Sequence, residues 1–226
     1  RRQRQMCIRD RNVDDAVYQY QHDRSPKELL FQFTRCMVHF AVDDAQVKFC
    51  TRLQGKESWF LPFNKGYKDG AGNPPNPDGL MTDYLWKRIL TKEMLSRIIE
   101  NYAALIEEKD EETGKTKYKQ IFPRYHQLMA VESLLADVKA HGVGKRYLIQ
   151  HSAGSGKSNS IAWLAHQLVT LKDATDHNIF DTVIVVTDRV NLDKQIRNTI
   201  RQFMQVSSTV GWAKDSSELG LSLIHI

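Results

Sequence analysis

The chain has 226 residues, 41% hydrophobic and 26% charged, which is typical of a globular protein with one large core or two modest ones. It has no apolar run of the roughly 20 residues that a membrane helix needs and no signal-peptide core at its start, so we expect a cytoplasmic protein without a membrane partner. A net charge of +5 favours a nucleic-acid partner, but most of that charge lies in one terminal segment.

That segment is residues 1–11, RRQRQMCIRDR, where five arginines and one acid give +4 and leave +1 for the rest of the chain. It has no periodicity, and residues 221–226, LSLIHI, stop without a cap or a tail. Both resemble adapter sequence translated at the ends of an assembled fragment, and we expect both to be non-native. A genuine basic arm is the alternative for residues 1–11. The overall basicity is therefore no evidence for DNA binding.

The next stretch predicts a helix followed by a β-hairpin. Residues 14–23 read as the end of a helix. Residues 35–42 and 46–53 are rich in β-forming side chains and flank the sequence Asp-Asp-Ala, which predicts two strands joined by a turn. The Gly-, Pro- and Asn-rich residues 59–79 then predict an irregular loop.

A long helix and a charged segment are predicted next. Residues 82–106 carry apolar side chains at largely helical spacing, with Thr82 as a candidate N-cap. Residues 107–120, EEKDEETGKTKYKQ, are almost entirely charged and contain a glycine. We interpret this segment as a linker between two domains, with a solvated β-hairpin as the alternative.

The second half of the chain predicts alternating helices and strands. The order is a helix over 124–140, a strand over 146–150, a helix over 157–171, a strand over 181–187 and a helix over 191–204. A strand, a Gly-rich turn, a helix and another strand indicate an α/β domain with a parallel sheet.

The Gly-rich turn, HSAGSGKS at residues 151–158, predicts a phosphate-binding loop. Glycines 154 and 156 let the backbone curl, so that the N–H groups of residues 153–156 (Ala153, Gly154, Ser155 and Gly156) point at one anion. The helix that follows adds its positive dipole end. Lys157 would reach the β- and γ-phosphates and act in catalysis, and the Ser158 hydroxyl would ligate Mg²⁺. The predicted ligand is therefore ATP with Mg²⁺.

The loop departs from the strict pattern G-x-x-x-x-G-K-[ST], because His151 stands where the first glycine belongs. It resembles the looser loop of superfamily 2 helicases, in which the first glycine varies. That resemblance implies that Gln127 contacts adenine; a glutamine on a helix surface is the alternative. It also implies a DNA-backbone contact at the loop after the second strand, formed by Thr187, Asp188 and Arg189. An ordinary turn capped by Asp188 or Asn191 is the alternative there.

A more specific resemblance extends from about residue 13 to residue 219. In chain order, the segments DAVYQYQHDRSPKELLFQFTRCMVHFAVDDAQVKFCTRL, FLPFNKGYKDGAGNPPNPDG, FPRYHQLMAV, YLIQHSAGSGKSNSIAWLAHQL and VIVVTDRVNLDKQI resemble the restriction (R) subunit of type I restriction-modification enzymes. This subunit joins a nuclease domain to an ATP-driven translocase of double-stranded DNA, and it works with methylation (M) and specificity (S) subunits.

The resemblance implies a domain order. Residues 12–106 would be the C-terminal part of a restriction-endonuclease-like α/β domain, residues 107–120 the linker, and residues 121–220 the N-terminal part of a RecA-like motor lobe. The family's E-x-K nuclease pair should lie just upstream of residue 14, and its acidic helicase motif and second lobe lie outside this chain. We therefore expect the chain by itself to be inactive as an ATP-dependent deoxyribonuclease.

Asp43 and Asp44, close to Lys48, are the local candidates for a nuclease site, and we interpret them as a hairpin turn instead. Two other functions stay open. One is a different superfamily 2 DNA helicase or translocase with an unrelated N-terminal domain. The other is a nucleotide-binding module that does not move DNA.

Overall fold

The computed structural model describes residues 12–109, 114, 116–203, 211, 213 and 217–218. Both suspected non-native ends, residues 1–11 and 221–226, lie outside these residues. The chain divides into two compact units, Arg1–Ala136 and Asp137–Ile226. None of the described helices is long and apolar enough to cross a membrane.

The described elements of the first unit mix short helices with antiparallel strands. They are α1 (Val13–Tyr18), a π-helical turn (Gln19–Asp23), a 3-10 turn (Leu29–Phe31), β1 (His39–Val42), β2 (Val47–Cys50), β3 (Leu61–Pro62), a second π-helical turn (Leu85–Ile89), α2 (Lys92–Asn101), β4 (Ala104–Lys109), β5 (Thr116–Ile121) and most of α3 (Tyr125–His141). The second unit holds the end of α3, α4 (Lys157–Val169) and α5 (Val190–Phe203).

The predicted hairpin is confirmed. Strands β1 and β2 pair antiparallel, with Val42 opposite Val47, and β3 extends the sheet from within the predicted irregular loop. Successive side chains of a strand point to opposite faces, so the consecutive residues His39 and Phe40 of β1 have different neighbours. Phe40 packs against the fully buried Phe63, with ring centroids 5.5 Å apart. His39 lies on the other face, 5.8 Å from the Tyr20 ring. Both faces of the sheet are therefore covered.

Asp43 shapes the hairpin turn. Its Oδ1 accepts hydrogen bonds from the N–H groups of Ala45 (2.7 Å) and Gln46 (2.6 Å). Its Oδ2 accepts from the N–H of Val13, the first residue of α1, at 2.7 Å. These three bonds tie the turn to the start of the helix, which agrees with the interpretation of Asp43 as a turn residue.

The helix predicted over residues 82–106 is broken into separate elements. Thr82 is not an N-cap: it is fully buried, and its hydroxyl donates to the Asp43 carbonyl oxygen at 2.7 Å. Thr91 caps α2 instead, because its hydroxyl oxygen accepts from the N–H of Met94 at 3.3 Å. From Ala104 the chain continues as a strand. The helical spacing of apolar residues across 82–106 therefore did not predict the break between Ile89 and Lys92, the end of α2 at Asn101 or the strand that follows.

The charged segment 107–120 is not an extended linker but most of a β-hairpin, the alternative that the sequence left open. Strands β4 and β5 pair along their whole length, with Glu108 opposite Lys117, and Glu108 also forms an ion pair with Lys119 at 3.5 Å. Ile106 and Ile121 are buried. Opposite charges across the strands and an apolar base explain why so polar a segment pairs. The boundary between the two compact units along the chain lies instead within α3, between Ala136 and Asp137.

The second unit has the predicted helices but, among its described residues, no sheet ladder. Helices α4 and α5 pack through Trp163 and Phe203, whose ring centroids lie 5.5 Å apart. The two predicted strands, residues 146–150 and 181–187, are not assigned as strands in the structure. Leu148 is 93% exposed and Val186 is 85% exposed.

Among the described residues, the predicted parallel sheet is therefore not formed. A parallel ladder needs a second strand alongside, and neither segment has one in the part of the chain that the structure describes. What the described residues form is a mixed α/β fold with two small antiparallel sheets. These residues show no complete nuclease fold.

Candidate functional site

The loop that precedes α4 has the backbone conformation that the sequence predicts for a phosphate-binding loop. Gly154 has φ of 71° and Gly156 has φ of 80°, both in the left-handed region that glycine adopts without strain. The N–H of Ser155 donates to the Ser152 carbonyl oxygen at 3.3 Å and closes a turn between them. Left-handed residues spaced in this way turn neighbouring N–H groups toward one point, which creates an anion-binding concavity.

The start of α4 adds to that concavity. Gly156 is the N-cap residue, and no side chain caps the helix. The N–H groups of a first helical turn have no partner within the helix, and the helix dipole places partial positive charge there. Ala162 and Trp163 are fully buried and anchor α4 in the unit. This end of the helix therefore suits a phosphate group.

Lys157, the first residue of α4, folds back over the loop. Its ammonium donates to the carbonyl oxygens of His151 (3.2 Å) and Ser152 (2.9 Å). Backbone carbonyls leave no signal in a residue pattern, so the sequence does not predict these contacts. The ammonium thus lies at the mouth of the loop, and its flexible stem allows it to turn toward a phosphate. A bound phosphate would compete with these two carbonyls.

His151 and Ser158 complete the loop. Partial burial, and then the charge of Lys157, lower the pKa of His151, so its imidazole is neutral at pH 7. Ser158 is half-buried in the first turn of α4. No group of three or more His, Cys, Asp or Glu side chains that could hold a metal ion occurs among the described residues. Ser158 is not one of these residue types, and its role toward Mg²⁺ stays a prediction.

Gln127 belongs to the first unit, whereas the phosphate loop belongs to the second. Its side chain is buried, and its Oε1 accepts from the N–H of Arg124 at 2.9 Å. A glutamine in the first helical turn that reaches back to this N–H is one half of a capping box. Gln127 therefore stabilises the start of α3, which excludes the surface-residue alternative. Its contact with adenine stays a prediction.

Thr187, Asp188 and Arg189 lie together directly before α5, as predicted. Asp188 and Arg189 are exposed and form an ion pair of 3.7 Å. Thr187 is half-buried, and its hydroxyl donates to a carboxylate oxygen of Asp193 at 3.4 Å. Asp193 was not singled out in the sequence, although an acid in the first turn of a helix is a known signal. Helix α5 begins at Val190, so Asn191 lies inside the helix.

Comparison with known families identifies the part of the chain that holds this loop. Residues 126–223 match the family model of the SWI2/SNF2 ATPase. The chain carries a SWI2/SNF2 ATPase segment. The segment begins one residue before Gln127 and contains the phosphate loop, α4 and α5.

This segment is helicase-like, of superfamily 2, and the family implies the use and hydrolysis of ATP. The family match begins at residue 126, after the strands of the first unit, and does not include them. No curated protein and no solved structure matches the chain.

Proposed function

We propose that the chain is part of the R subunit of a type I restriction-modification enzyme. In this proposal the parent protein couples ATP hydrolysis to the translocation of double-stranded DNA and cleaves DNA away from the recognition site. Methylation (M) and specificity (S) subunits are its partners, and the specificity subunit reads the DNA. The order of the five resembling segments supports the proposal across both compact units, and the SWI2/SNF2 segment supports the motor half.

The motor half of the proposal rests on the phosphate loop at the start of α4, where no side chain caps the helix. In this proposal the N–H groups of residues 153–156 and the Lys157 ammonium would donate to the phosphates of ATP, and the Ser155 N–H would give up its bond to the Ser152 carbonyl oxygen. Ser158 would supply a hydroxyl to Mg²⁺, which neutralises phosphate charge when bound. Gln127 would read the adenine, and Thr187, Asp188 and Arg189 would contact the DNA backbone.

The nuclease half rests on the resemblance of residues 12–106. In this proposal neither Asp43 nor Asp14 of this stretch takes the place of the family's E-x-K pair. Both carboxylate oxygens of Asp43 accept backbone N–H groups, and Lys48 pairs with Asp14 at 2.5 Å on the first helix. The proposal therefore assigns cleavage to residues upstream of this stretch in a longer parent chain.

A different superfamily 2 DNA translocase is the second candidate. The SWI2/SNF2 match supports it equally, because the match covers residues 126–223 and does not specify an R subunit. The two candidates differ in the first unit. Metal-dependent cleavage of DNA by the parent protein distinguishes the first candidate from the second.

The test uses the parent protein from the complete reading frame, assembled with its methylation and specificity subunits. Lys157→Ala removes the ammonium that compensates phosphate charge. We expect it to abolish ATP hydrolysis, translocation and ATP-dependent cleavage while assembly persists. Lys172→Ala is the matched control, since Lys172 is an exposed lysine of the same unit that pairs with Asp176 at 3.0 Å.

Three outcomes would contradict parts of the proposal. Wild-type ATPase activity in Lys157→Ala would remove the phosphate-loop assignment. An ATPase that double-stranded DNA does not stimulate would indicate a nucleotide-binding module that moves no DNA. A DNA-stimulated ATPase without any cleavage would leave a translocase of another family.

A further inference from the structure

A cleft of about 370 Å³ opens in the first unit between the first helical segment and the edge of the sheet. The first helical segment lines it through Gln19, Tyr20 and Arg24, which lie in or directly after the π-helical turn. Phe31, from the 3-10 turn, also lines the cleft. The remaining lining includes residues of the outer strand β1. The cleft belongs to neither the phosphate loop nor the SWI2/SNF2 segment.

One side of the cleft carries a positive charge that no described carboxylate pairs with. The Arg24 guanidinium is exposed and forms no ion pair with any described carboxylate, and none of the described residues that line the cleft is acidic. Its backbone N–H donates to the Gln19 carbonyl oxygen at 3.0 Å, which places the two residues on one turn. Gln19 also lines the cleft, and its side-chain amide can add donors to those of the guanidinium. An anion, and above all a phosphate, is the ligand that these donors match.

The other lining residues are aliphatic or aromatic. The Phe31 ring lies edge-on to the Tyr20 ring at a centroid distance of 6.0 Å. The Tyr20 hydroxyl donates to the Phe40 carbonyl oxygen at 3.4 Å, so it already uses one outward-facing group of β1. That contact disfavours an added peptide strand along this four-residue edge. The favoured ligand is instead small, anionic at one end and flat at the other.

We propose that this cleft binds one nucleotide unit of a DNA strand, with the phosphate on Arg24 and Gln19 and the base or sugar against Phe31. The inference deepens the proposed function, since the strand would be part of the DNA that the parent enzyme handles. Stacking on aromatic rings beside a cation is a common means of holding a single strand. Arg24 would be a positioning residue for DNA and not a catalytic one.

The test measures binding of fluorescein-labelled single-stranded and duplex 12-mers to the 226-residue chain by anisotropy, over a range of salt concentrations. All variants also carry Lys157→Ala, so that the phosphate loop does not contribute. Arg24→Gln should weaken single-strand binding at least fivefold at low salt. It should also reduce the salt slope by about 0.7, the value for one phosphate contact on a single strand. Arg35→Gln is the matched control, because Arg35 is exposed in the same unit but does not line the cleft; it should change binding less than twofold.

A competition experiment identifies the part of the nucleotide that is bound. A deoxynucleoside 5′-monophosphate should displace the labelled strand, and a deoxynucleoside without phosphate should not. Equal losses from Arg24→Gln and Arg35→Gln would overturn the proposal in favour of diffuse charge attraction. So would a monophosphate that binds more tightly than the 12-mer, because the cleft would then be a site for free nucleotides. Thermal melting of each variant confirms that it folds.

The outcome is independent of the motor. If Arg24→Gln has no effect while the parent shows Lys157-dependent, DNA-stimulated ATPase activity, the cleft assignment fails and the proposed function stands. If Arg24→Gln weakens binding but the parent neither translocates nor cleaves DNA, the proposed function fails and the cleft remains a nucleic-acid site.

Discussion

The two units differ in the sequence separation between the segments that would pair as strands. In the first unit, β1 and β2 are joined by a four-residue turn that Asp43 holds, and β4 and β5 are likewise adjacent in the chain. In the second unit, residues 146–150 and 181–187 are separated by the whole of α4, and neither has a ladder among the described residues. Antiparallel neighbours close locally, whereas a parallel strand requires a crossover and a sheet around it. The left-handed glycines of the phosphate loop, like the β1–β2 turn, depend on neighbours close in the chain.

The largest expected effect is in the core of the first unit. Phe63 is fully buried, and its ring contacts Phe40, Phe49 and Tyr125 at 5.5 to 5.7 Å, all within that unit. Phe63→Ala should lower the free energy of unfolding of the first unit by about 3–5 kcal/mol. Hydrogen exchange should show that the amides of α4 keep their protection.

Phe63→Leu, which leaves a smaller cavity, is the control and should cost less. Equal loss of amide protection in α4 would contradict the prediction, because the two units would then unfold together.

A smaller effect is expected from the turn that makes the first sheet local. Asp43→Ala removes three accepted hydrogen bonds and should destabilise the first unit by about 1–3 kcal/mol in urea denaturation. Asp44→Ala, at an exposed neighbouring position, should change little. Mg²⁺ should not raise the melting temperature of the wild type relative to Asp43→Ala. A Mg²⁺-dependent difference would show that Asp43 binds metal.

The smallest effect on stability, about 1 kcal/mol, is expected at Gln127. Gln127→Ala removes the oxygen that accepts from the Arg124 N–H, whereas Gln127→Glu keeps an acceptor and should unfold like the wild type. Both variants lose the amide donors, so in the parent enzyme both should narrow the preference for ATP over GTP. An unchanged preference in Gln127→Glu would limit Gln127 to its capping role.

Local signals in the sequence predicted the parts of the fold that depend on local contacts. The β1–β2 turn, the helices α3, α4 and α5, and the glycines of the phosphate loop were all read from spacing and residue type. Thr82 was misread because its partner, the Asp43 carbonyl, lies 39 residues away. The hairpin at 104–121 was misread as a linker because charge hid the pairing of opposite side chains across two strands.

Contacts made by the backbone were the hardest part of the site to predict. The Lys157 ammonium contacts two carbonyl oxygens, and no residue pattern encodes such an acceptor. The left-handed conformations of Gly154 and Gly156 were predictable because only glycine adopts them without strain. The loop geometry therefore follows from its sequence, whereas the position of its lysine does not.

The central claim is that the loop at residues 151–158 binds the phosphates of ATP through local geometry alone. Calorimetric titration of the 226-residue chain with ATP and Mg²⁺ tests it most directly, with Lys157→Ala and the control Lys172→Ala beside the wild type. The account predicts weak but measurable ATP binding by the wild type and by Lys172→Ala, and binding at least tenfold weaker in Lys157→Ala, because one phosphate-compensating charge is worth about 1.4 kcal/mol or more. The same affinity in all three chains would contradict the account.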